Sequence, residues 1–172
     1  YRKKNQITTI ENKKIEYFFF KSILEKLNFQ LTNAQMKCIN EIKTDINKKS
    51  QMKRLLQGDV GSGKTLVALS AILNLVEKNK QAALMAPTDL LCFQHFEFIK
   101  KYTSHLKIKV SLLTSKIKKS EREKILQDIF NGNSHIIVGT HSLISNTVEF
   151  YNLGLAVIDE QHKFGVQQRN KI

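Results

Sequence analysis

Short apolar runs alternate with amphipathic stretches along most of this chain. Leu153 to Ile158 is nearly continuous apolar sequence, and Ile136-Ile137-Val138 is a second such run. Runs of this kind read as strands buried on both faces of a parallel sheet. Gln81 to Ala86 reads as a third strand, stopped by Pro87, which cannot donate to a central ladder. Ile108, Val110 and Leu112 alternate, as in a half-exposed strand, and Leu55-Leu56 reads as the end of another. Between these lie helical patterns. Leu69, Ile72, Leu73 and Val76 share one helix face, and Thr88 is placed to cap a helix running to Tyr102 with Lys100 and Lys101 at its negative end. Ser120 with Glu123 forms a capping-box pattern, and Asn131-Gly132 closes that helix. Ile15 to Leu27 is a helical stretch within a polar, basic opening segment. Strands alternating with helices from Phe29 onward predict a three-layer α/β fold with a mainly parallel sheet. There are no internal repeats and no Ser/Pro/Gly-rich linker.

Two loops add chemistry to this frame. Gly58 to Thr65 fits Gly-x-x-x-x-Gly-Lys-Thr, between the Leu55-Leu56 strand end and the helix of Leu69. Gly58, Gly61 and Gly63 permit positive φ and close approach to an anion. Ser62 and its neighbours then turn successive N–H groups inward, and the helix start adds its positive dipole end. Lys64 supplies a mobile ammonium for the outer phosphates of a nucleoside triphosphate, ATP in the family named below, and the Thr65 hydroxyl is a ligand for Mg²⁺. The second loop carries Asp159 and Glu160 at the carboxyl end of the Leu153–Ile158 strand, where open α/β sheets bind ligands. Adjacent strand residues point opposite ways, so Asp159 is expected to hold Mg²⁺ through water and Glu160 to polarise the attacking water. By itself an Asp-Glu pair at a strand end is an ordinary solvated feature; beside a phosphate loop it gains a role.

The motifs together resemble one family. Asp159-Glu160-Gln161-His162 is similar to the second motif of superfamily 2 helicases. Met85-Ala86-Pro87-Thr88, Gln94-His95, Gly139-Thr140-His141-Ser142-Leu143 and the run Ile158 to Arg169 extend the likeness, in order, to the RecG family of bacterial branch-migration DNA helicases. The Mfd family of transcription-repair translocases is the nearest relative, with Ser62 and Gln161 favouring the RecG family.

The resemblance implies further roles. Gln35 matches the glutamine that reads adenine, an edge suited to an amide that both donates and accepts. Thr88, Gln94, His95, Thr140 and His141 match motifs that touch the DNA backbone, contacts that carry no base information. Gln161 and His162 match residues coupling the nucleotide site to DNA. Read singly, His95, His141 and His162 are polar residues without metal-ligand spacing. Cys92, Phe93, Ser142 and Lys163 depart from the family pattern, and Lys163 lacks the planar fork of an arginine.

The implied architecture is a RecA-like first helicase domain over residues 29–172. A helical linker over residues 1–28 joins it to a wedge domain. A third motif and a second RecA-like domain, bearing an arginine finger, belong to the family beyond Ile172. A missing finger costs about 10³–10⁵ in turnover, so weak ATP binding and negligible hydrolysis are expected of these residues alone. The third-motif strand lies between the phosphate-loop strand and the Asp-Glu strand in that fold. Without it the sheet is expected to carry unpaired backbone groups and to be marginally stable. The opening Tyr1 is expected not to be a native start.

Composition changes this picture little. The hydrophobic content of 41% is ordinary for a globular fold. The net charge of +13 agrees with a DNA partner, but only Arg2, Arg54, Arg122 and Arg169 are arginines, and an AT-rich coding sequence gives the same lysine bias. Cys38 and Cys92 match no metal or redox spacing, and no apolar run spans a bilayer, so a reduced, cytoplasmic protein is expected, and the resemblance implies a monomer. Rival readings are a P-loop kinase, which needs lid arginines that are scarce here, and a nucleotide- or DNA-binding remnant without turnover.

Overall fold

The computed structural model describes residues 18–48 and 50–164. Four parallel strands form one sheet in the order β2-β3-β1-β4. They are β1 (Gln81–Met85), β2 (Val110–Leu113), β3 (Ile136–Gly139) and β4 (Leu153–Ile158). Among the described residues five α-helices accompany them: α1 (Phe18–Leu24), α2 (Asn33–Ile46), α3 (Lys64–Glu77), α4 (Asp89–Thr103) and α5 (Lys119–Phe130).

Strand alternation sorts the core into two layers. Ala82 and Leu84 of β1, with Ile136 and Val138 of β3, pack against α1 to α4. Ala83, Met85 and Ile137 face the other way, against Ile129 of α5, Leu143 and Phe164. The expected three-layer α/β architecture follows from this. At the amino end of β1, the buried Gln81 amide donates to Ile129 O at 3.0 Å and Ser134 O at 2.8 Å, and accepts from Asn152 N at 3.0 Å. One satisfied amide thus joins three connections and fixes where the strands begin.

The predicted helices over Leu69–Val76 and Thr88–Tyr102 form, the second capped by the Thr88 hydroxyl accepting from Leu91 N at 3.2 Å. Asn131 and Gly132, at φ +76°, close α5.

Five local expectations are corrected. Leu55-Leu56 is not a strand: residues 51–59 have no ladder, because no strand lies alongside them among the described residues. Arg54 instead ties this segment to α2, pairing with Glu41 at 2.7 Å and with Asp45. Strand β4 is not buried on both faces; among the described residues it pairs only with β1, and Leu153 and Gly154 are exposed. In β2 the buried positions are Ser111 and Leu113, the opposite phase to Val110 and Leu112, and Ile108 precedes the strand. Ser120 caps nothing, because α5 starts two residues earlier than that cap requires, at Lys119 with Lys118 at its N-cap. Finally, α1 ends at Leu24, short of the expected Leu27, and its Phe20 and Ile23 are fully buried in the main core. Residues 15–17 of that predicted helix, and the motif residues 165–169, lie outside the described residues.

Candidate functional site

Helix α3 begins at Lys64 because Gly63, at φ +81°, turns the chain into it. Gly61 takes φ +80°. Gly58 differs from expectation: its φ is not positive, and its need is for space, since a Cβ there would sit 2.8 Å from Ser62 Oγ. The first-turn N–H groups of a helix have no acceptor within it and point out of its end. The Lys64 ammonium folds back over the loop, donating to Gly58 O at 2.8 Å and Asp59 O at 2.7 Å. Thr65 is half-buried beside it.

Helix α2 meets the loop through Gln35. The Gln35 Oε1 accepts from Thr32 N at 2.9 Å and the Thr32 hydroxyl accepts from Gln35 N, a reciprocal capping box. The same amide donates from Nε2 to Ser62 O at 2.9 Å. An amide has two N–H donors and two lone pairs, so one of each remains for a ligand edge.

Asp159 and Glu160 follow β4, and Asp159 N still donates to Met85 O at 2.8 Å, extending the ladder by one bond. Asp159 Oδ2 accepts from His95 Nε2 at 2.8 Å, and Oδ1 accepts from Glu160 N at 3.0 Å. The His95 bond, with help from the Glu160 N–H and the nearby Lys64 ammonium, holds the Asp159 carboxyl below the usual range against the opposing effect of burial. Lys64 and Asp159 therefore lie within electrostatic reach of each other. Glu160 stands at φ +49°, a left-handed conformation that costs a non-glycine residue about 1–2 kcal/mol. Its carboxylate forms an ion pair with Lys163 at 2.7 Å.

The other predicted residues are spread more widely. Thr88 and Gln94 are exposed on α4. His95 is not on that outer face; its side chain is 13% exposed and turned to Asp159. The helix spacing held the signal, since His95 lies between the fully buried Cys92 and Ile99 on one stripe. Thr140 is buried, and its hydroxyl accepts from Ser142 N, so it caps a turn. His141 is exposed on the 3-10 turn His141–Ile144, and Gln161 and His162 are exposed on Gln161–Lys163.

One hydroxyl and one carboxylate are a donor set suited to Mg²⁺, which keeps several waters and binds through one or two carboxylates plus phosphate oxygens. Among the described residues no three His, Cys, Asp or Glu side chains cluster as an all-protein metal cage, and no helix is long and apolar enough to cross a membrane.

Comparison with known proteins places these features in context. The profile of the DEAD/DEAH box helicase family matches residues 32–172. The chain is 50% identical over 154 residues to the ATP-dependent DNA helicase RecG of Synechocystis sp., covering 87% of this chain and 18% of that protein. It is 47% identical to RecG of Aquifex aeolicus, covering 88% and 19%, and 46% identical to RecG of Thermotoga maritima, covering 93% and 20%. A solved structure of RecG bound to a three-way DNA junction superposes with a TM-score of 0.79 at 46% identity, over 84% of this chain and 20% of the other. The chain thus spans about a fifth of the length of these relatives.

Proposed function

The chain belongs to the DEAD/DEAH box helicase family, and we propose that within it these residues are the ATP-binding motor region of a RecG-like DNA helicase acting on branched DNA in the cytoplasm. The observation that carries the reading is a glycine turn that opens α3 at Lys64 and a carboxylate fixed by His95 at the end of β4, on two elements that share one core, with the Lys64 ammonium helping to hold the Asp159 carboxyl below the usual range. Two different loops thereby offer an ammonium and a carboxylate, the groups that a magnesium-bound triphosphate requires. Glycine turns and a paired carboxylate on separate sheet ends would have no such use.

The mechanism follows from the chain's own groups. An arriving triphosphate draws the Lys64 ammonium away from the Gly58 and Asp59 carbonyls, exchanging two neutral acceptors for anionic oxygens. The loop N–H groups and the α3 dipole stabilise the bound charge. Bound Mg²⁺ would be held by Thr65 and Asp159 and would neutralise charge on the leaving phosphate. Glu160 polarises the attacking water after leaving Lys163, and its left-handed backbone turns it away from the β4 direction. Gln35 supports the loop and offers its remaining donor and acceptor to adenine.

On this reading, the exposed Thr88 and Gln94 of α4 and His141 are contacts for the DNA backbone, and the exposed Gln161 and His162 couple the two sites. The partners are DNA and, on the same polypeptide, a second RecA-like domain and a wedge domain, with the whole acting as a monomer. The test is DNA-stimulated ATP hydrolysis and unwinding of a three-way junction by the full-length protein. Lys64→Ala is expected to abolish nucleotide binding and both activities while leaving far-ultraviolet circular dichroism unchanged. Equal ATP affinity for Lys64→Ala and parent refutes the site.

A further inference from the structure

His95 matches a motif that touches DNA, yet its geometry serves another purpose. Its Nε2 is occupied by Asp159 Oδ2 at 2.8 Å, and its side chain is only 13% exposed. It stands on the inward stripe of α4 with Cys92 and Ile99, whereas Thr88 and Gln94 of the same region are exposed. A backbone phosphate reaching Nε2 would have to displace a carboxylate already bonded there.

The Asp159 carboxylate is held at both ends, by His95 at Oδ2 and by the Glu160 N–H at Oδ1. Two donors on two oxygens fix the plane of the group. Each oxygen keeps a further acceptor site for a metal-bound water. Hydrogen-bond partners of this kind orient metal-binding carboxylates, and their loss typically weakens metal affinity.

We propose that His95 is a positioning residue for the metal carboxylate Asp159 and not a DNA contact. The inference rests on the proposed nucleotide site and adds a physical link to it. Helix α4 presents Thr88 and Gln94 outward and His95 inward, so one rigid element joins the DNA-facing surface to the Mg²⁺ ligand. A shift of α4 on DNA would then reorient Asp159 directly.

The experiment measures binding of fluorescent ADP to the full-length protein at increasing Mg²⁺, and DNA affinity without nucleotide, for parent, His95→Ala and His95→Gln. The Gln amide places a donor close to the position of Nε2 and serves as the conservative variant. His95→Ala is expected to raise the Mg²⁺ needed for half-maximal binding by about tenfold or more. His95→Gln should recover most of that loss, and nucleotide-free DNA affinity should stay at the parent level in both. An unchanged Mg²⁺ requirement in His95→Ala, equal losses in the Ala and Gln variants, or weaker nucleotide-free DNA binding overturns the proposal. A parent whose nucleotide binding ignores Mg²⁺ sinks the nucleotide-site reading and this inference with it. A Mg²⁺-dependent parent with an unaffected His95→Ala overturns the inference alone.

Discussion

Gln35 Nε2 donates to the Ser62 carbonyl at 2.9 Å, so the start of α2 and the glycine loop before α3 are held together by one side-chain amide. The same side chain closes the capping box with Thr32. On the proposed function, structural support of the loop and recognition of a base draw on this single residue.

Gln35→Glu separates these uses. A glutamate accepts from Thr32 N as well as glutamine does, so the helix cap survives. The donor to Ser62 is lost, and an anion is placed beside the phosphate cradle. Thermal unfolding is expected to shift little, while ATP affinity falls about fivefold or more, the equivalent of a hydrogen bond of roughly 1 kcal/mol. Calorimetric titration beside a melting curve checks both. A large stability loss with unchanged affinity would contradict the assignment.

Gly63→Ala should disrupt the same junction from the other side. The new Cβ would lie 2.4 Å from Gln35 Nε2, and φ at that position is +81°. The backbone strain alone is about 1–2 kcal/mol. Combining Gly63→Ala with Gln35→Ala removes the clash but keeps the strain. The double variant should thus be more stable than the sum of the two single losses predicts, as denaturant unfolding would reveal.

The two cysteines should differ in reactivity. Cys92 is fully buried on α4 with its Sγ near the Ala86 carbonyl, and burial pushes its thiol up to about 11. The thiolate is the reactive species, so Cys92 should resist a thiol reagent at pH 8 in the folded chain. Cys38 is half-buried and free. Mass spectrometry after brief labelling should find modification at Cys38 alone, and at both residues after denaturation. Rapid labelling of Cys92 in folded protein would show that α4 does not pack as described.

Much of this arrangement was legible in the residues, because period and turn chemistry are local. The apolar run Ile136–Val138, the stop at Pro87 and the cap at Thr88 each depend on neighbours in sequence, and each forms as read. The failures are those where a partner decides. Leu55-Leu56 has the composition of a strand end, but a strand needs an adjacent ladder. Leu153–Ile158 is apolar enough for a central strand, yet the described sheet places it at an edge. Ser120 and Glu123 have capping-box spacing, but α5 starts ahead of them. At the site, the positive turns at Gly61 and Gly63 follow from the motif. The bonds from His95 to Asp159 and from Gln35 to Ser62 cross 64 and 27 positions, distances over which a single sequence carries no pairing signal.

The most direct measurement is a crystal structure of the full-length protein with ADP, beryllium fluoride and Mg²⁺. The predicted result has the phosphate groups on the backbone N–H groups between Gly61 and Thr65, and Lys64 moved off the Gly58 and Asp59 carbonyls. The metal would stand between Thr65 and Asp159, about 2.0–2.1 Å from its inner oxygen ligands, with its bound water donating to the Asp159 carboxylate. Nucleotide bound elsewhere, or Lys64 still bonded to its own loop with the metal remote from Asp159, would contradict the account.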